Sequence, residues 1–213
     1  MSERAPGTVV SFVPAHGESK ADAVAKQLSR TLTEGLGGAV LLANFDSRGY
    51  SLWNASQTPR RLDGHTWGAF VNEEEGLETL DARETSARQL GRLFEHAREK
   101  YAVICADLTG ARPAHALEVL RASDAIFLVT DSDRASIEGV LEKTEWLRSI
   151  DLMERVGLLL RRSPEGMKAD EVEEITGLPV CCLVESKEHI QLLAQWLGNS
   201  THATTEPGFA LAG

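Results

Sequence analysis

Thr8-Val-Val-Ser-Phe-Val-Pro-Ala-His-Gly-Glu-Ser-Lys-Ala21 is the stretch whose reading decides the fold. Thr8–Val13 is apolar and β-branched and reads as a buried strand. The next eight residues read as a loop, and an amphipathic helix follows, with Ala21, Val24, Ala25, Leu28 and Leu32 on one face. Strand, loop, lysine and helix in that order are the layout of a loop that cradles phosphate, written in full as G-x-x-x-x-G-K-[ST]. Lys20 holds the lysine position. Pro14 stands in place of the first glycine, Ser19 of the second, and Ala21 of the Ser/Thr. That hydroxyl ordinarily ligates Mg²⁺ beside the β- and γ-phosphates, and alanine has no oxygen to offer.

Outward from this stretch, apolar strand-like runs alternate with helical patterns, which signals a mostly parallel α/β sheet. Strands are expected at Thr8–Val13, Ala39–Asn44, Ala102–Asp107, Ala125–Thr130, Arg155–Leu160 and Val180–Val184. Their near-continuous Val, Ile and Leu implies helices on both faces, a three-layer α/β/α sandwich. Helices are expected at Lys20–Leu36, Arg83–Lys100, Pro113–Arg121, Arg134–Ile150, Ala169–Thr176 and Lys187–Leu197. One domain should span residues 1–198. Residues 45–80, with Trp53, Trp67 and Glu73-Glu-Glu75, look like an irregular excursion at the ligand-binding edge of the sheet. The small, polar residues 199–213 read as a disordered tail.

The formal charge of −10 argues against nucleic acid or anionic lipid as a partner of the bulk surface. Cys105, Cys181 and Cys182 lie in apolar runs without metal-ligand spacing, and read as buried, reduced thiols of a cytoplasmic protein. No apolar run approaches the roughly 20 residues that span a bilayer, and no signal peptide is read, so membrane association would need a partner.

Three segments fall where a nucleotide site would need them. They are the loop ending at Lys20, Leu41-Leu-Ala-Asn-Phe-Asp46-Ser-Arg48, and Tyr101-Ala-Val-Ile-Cys-Ala-Asp107-Leu-Thr-Gly110. Asp46 and Asp107 close their strands at the carboxyl end, where such ends converge on the loop. Both are therefore candidates for positioning Mg²⁺ and water, and would be the catalytic residues of an active enzyme. His16 could serve as an acid/base residue beside the phosphate site or, as a lone loop histidine, read as exposed and idle, and His115 reads as a helix-surface residue. Glu73–Glu75 reads as a solvated acidic turn.

At these residues the chain resembles the deviant phosphate-loop (P-loop) ATPases of the MinD/ParA group. It is most similar to the cytoplasmic kinase-like domains of bacterial capsule and exopolysaccharide synthesis. Gly17-Glu-Ser-Lys-Ala21 is similar to their P-G-E-G-K-S, Asn44-Phe-Asp-Ser-Arg48 to D-x-D-x-R, and Asp107-Leu-Thr-Gly110 to D-x-P-P. Ser123–Ser136, Gly157-Leu-Leu-Leu-Arg-Arg162 and Leu178–Val184 are similar to later strands of the group. The resemblance implies nucleotide-binding positions at Gly17, Glu18, Ser19, Lys20, Ala21 and Arg161, and ATP with Mg²⁺ as cofactors. It also implies a protein partner, homodimerisation, and recruitment to the inner membrane by that partner.

The departures weigh against turnover. Ala15 stands where the group often has a second lysine, Asn44 replaces an aspartate, and Arg161 replaces an adenine-reading asparagine. Ser19 makes a positive φ costly, by on the order of 1 kcal/mol or more. A lost metal ligand and a lost cradle donor each remove several kcal/mol of transition-state stabilisation, and about 1.4 kcal/mol is tenfold in rate. Tyr50 and Tyr101 are the only tyrosines, so a kinase that phosphorylates a C-terminal tyrosine cluster is excluded. The expectation is a degenerate ATPase homologue, an adaptor or regulator in envelope polysaccharide synthesis or export, with at most weak nucleotide binding. The alternatives are an active ATPase using Lys20, Asp46 and Asp107, and a positioning protein for pilus, chromosome or secretion machinery. In the last, Trp53 and Trp67 would form the interaction face.

Overall fold

Val9 and Val13 of β1 (Thr8–Pro14) point to one side of the sheet and Val10 and Phe12 to the other, and all four are buried. A strand apolar on both faces needs a layer of helices above and below it. The computed structural model provides both layers. It describes residues 6–17, 19–36, 39–46, 67–68, 70–83 and 85–200.

In chain order the elements are β1, α1 (Ala21–Leu36), β2 (Val40–Asn44), β3 (Val71–Glu74), β4 (Leu77–Asp81), α2 (Ala87–Lys100), β5 (Val103–Asp107) and α3 (Pro113–Ala122). They continue with β6 (Ala125–Asp131), α4 (Arg134–Ser149), a 3₁₀ turn (Met153–Arg155), β7 (Val156–Arg161), α5 (Ala169–Thr176), β8 (Val180–Leu183) and α6 (Lys187–Ser200). The sheet runs β3-β4-β2-β5-β1-β6-β7-β8, and only β3 is antiparallel to its neighbour. Helices α1 and α6 bury their apolar stripes on one face. Helices α2 to α5 bury theirs on the other. This is the expected three-layer α/β/α sandwich.

The excursion corrects one expectation. Its final part is a regular hairpin, β3 and β4, and β4 pairs in parallel with β2. Glu75 (φ 54°) and Gly76 (φ 78°) form the two-residue turn. Two consecutive left-handed residues match the twist of the strands they join. Of the acidic run, Glu73 and Glu74 thus end the strand and Glu75 opens the turn. Leu77 and Leu80 are buried on opposite faces, and the polar residues around them hid the strand. Helix α2 begins at Ala87 rather than Arg83, because Arg83 folds back on Asp81 through its backbone N–H (3.2 Å) and guanidinium (2.8 and 2.6 Å). Helix α6 runs to Ser200, so the fold passes the expected boundary at 198. Residues 201–213 and Trp53 lie outside the described residues.

Candidate functional site

β1 lies between β5 and β6, and the chain leaves β1 towards β2 on one side of it and crosses from β5 to β6 on the other. A ligand crevice opens at such a switch point, outside the carboxyl ends of the strands. The register sets Phe12, Asp107 and Asn44 side by side. The loop after β1, the Asp107 turn and the Asp46 turn therefore share one edge.

Three backbone donors of the loop are engaged by carbonyls of the chain. Ala15 N–H donates to the Val129 carbonyl (3.0 Å), Ser19 N–H to His16 O (3.2 Å), and Ala21 N–H to Ser19 O (2.8 Å). The Ser19 hydroxyl donates to His16 O as well (3.0 Å), and Ser19 is buried. A phosphate cradle needs amides that point outward, unbonded, at the anion. The Ala21 methyl is fully buried in the core on the α1 and α6 side of the sheet, and it has no oxygen to ligate a metal. Gly17 and Lys20 are exposed, and Glu18 lies outside the described residues.

Carboxylates gather opposite the loop. Asp107 is 6% exposed, and Thr109 N–H donates to its Oδ1 at 2.9 Å. Burial pushes its carboxyl above the usual range; the Thr109 donors pull it back, and the charges of Asp22 and Asp46 push it further up. Asp22, in the first turn of α1, was not singled out from the sequence, because an acid there reads as an ordinary partner of the helix dipole. Asp46 N–H donates to Asn44 Oδ1 (2.8 Å), so Asn44 shapes this turn.

Arg161 lies in a second group, at the ends of β6 and β7. Its guanidinium makes two bonds to Asp131, at 2.7 and 2.8 Å. Beside this pair, His16 Nε2 lies 3.5 Å from Asp131 Oδ2 and 2.9 Å from Ser136 Oγ. Ser136 donates through its hydroxyl (2.6 Å) and its N–H (3.0 Å) to Asp133, the N-cap of α4, and these two bonds hold the Asp133 carboxyl below its usual range. A cavity of about 560 Å³ opens here, lined by Asp131, Asp133, Arg161, Arg162, Ser163 and Glu185 among others. Its arginines are already paired, Arg161 with Asp131 and Arg162 Nε with Glu185 Oε1 at 3.5 Å.

Several expectations are revised. His16 is half-buried and partnered across the fold. His115 is buried, and its Nε2 bonds to the Thr85 carbonyl at 2.5 Å. Trp67 is 5% exposed, packs at a tilt against the His96 ring, and donates to Tyr101 Oη (3.2 Å), just before the amino end of β5 and away from Asp107. It is a packing residue, not an interaction face.

Against the layout of a phosphate cradle, the Ser19 and Ala21 amides are bonded within the loop, and the hydroxyl position is a buried methyl. Among the described residues no three His, Cys, Asp or Glu side chains are arranged to hold a metal ion.

No protein-family model matches the sequence, and no curated protein is significantly similar to it. Solved structures do share the fold. A ParA family ATPase from Chlorobium tepidum is 17% identical, over 91% of this chain and 92% of its own, with a TM-score of 0.69. The septum site-determining protein MinD from Pyrococcus horikoshii, solved with Mg-ADP, is 16% identical, over 93% of this chain and all of its own (100%), with a TM-score of 0.68. The MinC:MinD complex of Aquifex aeolicus aligns at 13% identity, over 91% of this chain and 96% of the matched one, with a TM-score of 0.72. The chain has the fold of the MinD/ParA P-loop ATPases.

Proposed function

We propose that this chain is a degenerate homologue of the MinD/ParA ATPases that works as a cytoplasmic adaptor or regulator through a protein partner. The observation that carries this reading is the closed loop: the Ala15, Ser19 and Ala21 amides are bonded to carbonyls of the chain itself. The buried Ala21 methyl, in the place of a metal-ligating hydroxyl, supports it. The MinD neighbour solved in complex with MinC gives a precedent for a protein partner on this fold. Among the described residues no helix is long and apolar enough to cross a membrane, so recruitment to one would run through the partner. Envelope polysaccharide synthesis or export is the setting that the motif resemblance suggests, by analogy alone.

Calorimetric titration of ATP and ADP with Mg²⁺ into the pure protein, alongside Lys20→Ala, tests this. No heat at millimolar nucleotide is the expected result. Binding tighter than about 100 μM that is lost in Lys20→Ala would overturn the reading in favour of a working ATPase.

A further inference from the structure

We propose that His16 is a latch, and that its bond to Ser136 holds loop residues 14–17 and 19–20 in the conformation that engages the Ala15, Ser19 and Ala21 amides. Two observations meet at this point. The first is directional. Ser136 Oγ lies 2.6 Å from a carboxylate oxygen of Asp133, which can only accept, so the hydroxyl proton goes there. Ser136 Oγ then accepts from His16, and the His16 proton sits on Nε2. Asp133 orients Ser136, Ser136 receives His16, and His16 O receives both the N–H and the hydroxyl of Ser19. This chain of bonds runs from the N-cap of α4 to the turn that precedes Lys20.

The second observation is steric. Gly139 lies one helical turn beyond Ser136 on α4. A Cβ there would come within 2.7 Å of the Ala15 carbonyl oxygen and 3.4 Å of His16 Cβ. The helix backbone therefore approaches the loop as closely as a glycine allows, and that approach brings Ser136 within reach of His16. Asp133, Ser136 and Gly139 follow at i, i+3, i+6 and share one face of α4. A loop histidine that only drifted against the helix would need neither the oriented hydroxyl nor the missing side chain. Asp131 Oδ2, held by Arg161, lies 3.5 Å from the same Nε2.

The latch rests on the loop being closed, but its test does not depend on nucleotide. Hydrogen exchange is measured at the Ala15, Ser19 and Ala21 amides in the full chain, with the Leu41 amide of β2 as a control. His16→Ala and Ser136→Ala should each speed exchange at Ser19 and Ala21 by about tenfold, the scale of one lost hydrogen bond, and leave Leu41 unchanged. Gly139→Ala should do the same by pushing Ala15 outward. His16→Gln, which keeps a donor at similar reach, should restore most of the protection. Unchanged exchange at Ser19 and Ala21 in His16→Ala would overturn the latch, as would acceleration at Leu41 to the same degree. Tight ATP binding by the intact chain would end the pseudo-ATPase reading and leave the latch standing.

Discussion

Arg161 closes on Asp131 with two bonds, 2.7 Å from Nε and 2.8 Å from Nη2, across the carboxyl ends of β7 and β6. The motif resemblance puts Arg161 where a base-reading asparagine would be. A guanidinium held in a fork by a carboxylate has little left to offer a base. Asp131 is 15% exposed, so removing Arg161 leaves a largely desolvated charge with His16 beside it, at 3.5 Å. Arg161→Ala should cost about 1 to 3 kcal/mol in urea denaturation, and a double-mutant cycle with Asp131→Asn should show coupling of about 1 kcal/mol or more. Additive losses would show that the pair contributes nothing jointly.

Asp107 predicts a pH dependence. Its folded carboxyl titrates above the unfolded value of about 3.9, chiefly through burial. Between those two values the native state holds the proton that the unfolded chain has lost. Stability contributed by this group therefore falls as pH rises through that window, and stays lower above it. Asp107→Asn keeps an acceptor for Thr109 N–H and removes the charge. Its unfolding midpoint should exceed that of the parent at pH 7, and the gap should narrow as pH falls towards 4. A gap independent of pH would show that the carboxylate is not the cause.

Lys20 is exposed, in the loop just ahead of α1, and its neighbour Ala21 is the residue that the core uses. Lys20→Ala should change stability by no more than about 0.5 kcal/mol. A larger loss in thermal or urea unfolding would assign the lysine a structural role.

Much of this fold was legible because its strands carry the signal locally. In β1, Val9, Val10, Phe12 and Val13 announce burial on both faces without reference to anything distant. The first apolar helix stripe likewise predicted the buried residues of α1. β4 was not legible, because a short strand with only Leu77 and Leu80 buried looks like loop, and its Glu-Gly turn is not the usual Asn-Gly. Lys20, Asp46 and Asp107 could be named as candidates because their motif positions are short-range. His16 was missed because its partner, Ser136, is 120 residues away, and no periodicity reports such a pairing. Arg161 was located but its state was not, since Asp131 lies on another strand and only the register of β6 with β7 brings them together.

Trp67 is the last test, and it separates packing from recognition. Its indole is buried among Phe45, Phe70, Phe94 and Tyr101 in the core beneath α2, and its Nε1–H reaches Tyr101 Oη. Burial raises the Tyr101 phenol, which the Glu78 side chain also holds as a donor, so the pair is a neutral, buried contact at ordinary pH. Trp67→Ala removes a large ring from a closed site and leaves that hydroxyl short of a donor. The loss should be about 3 to 5 kcal/mol, read from denaturant unfolding. Trp67→Phe keeps most of the volume and should lose less than half as much. If Trp67→Ala instead left stability unchanged, the ring would be free to serve a partner, and the positioning-protein alternative would regain its interaction face.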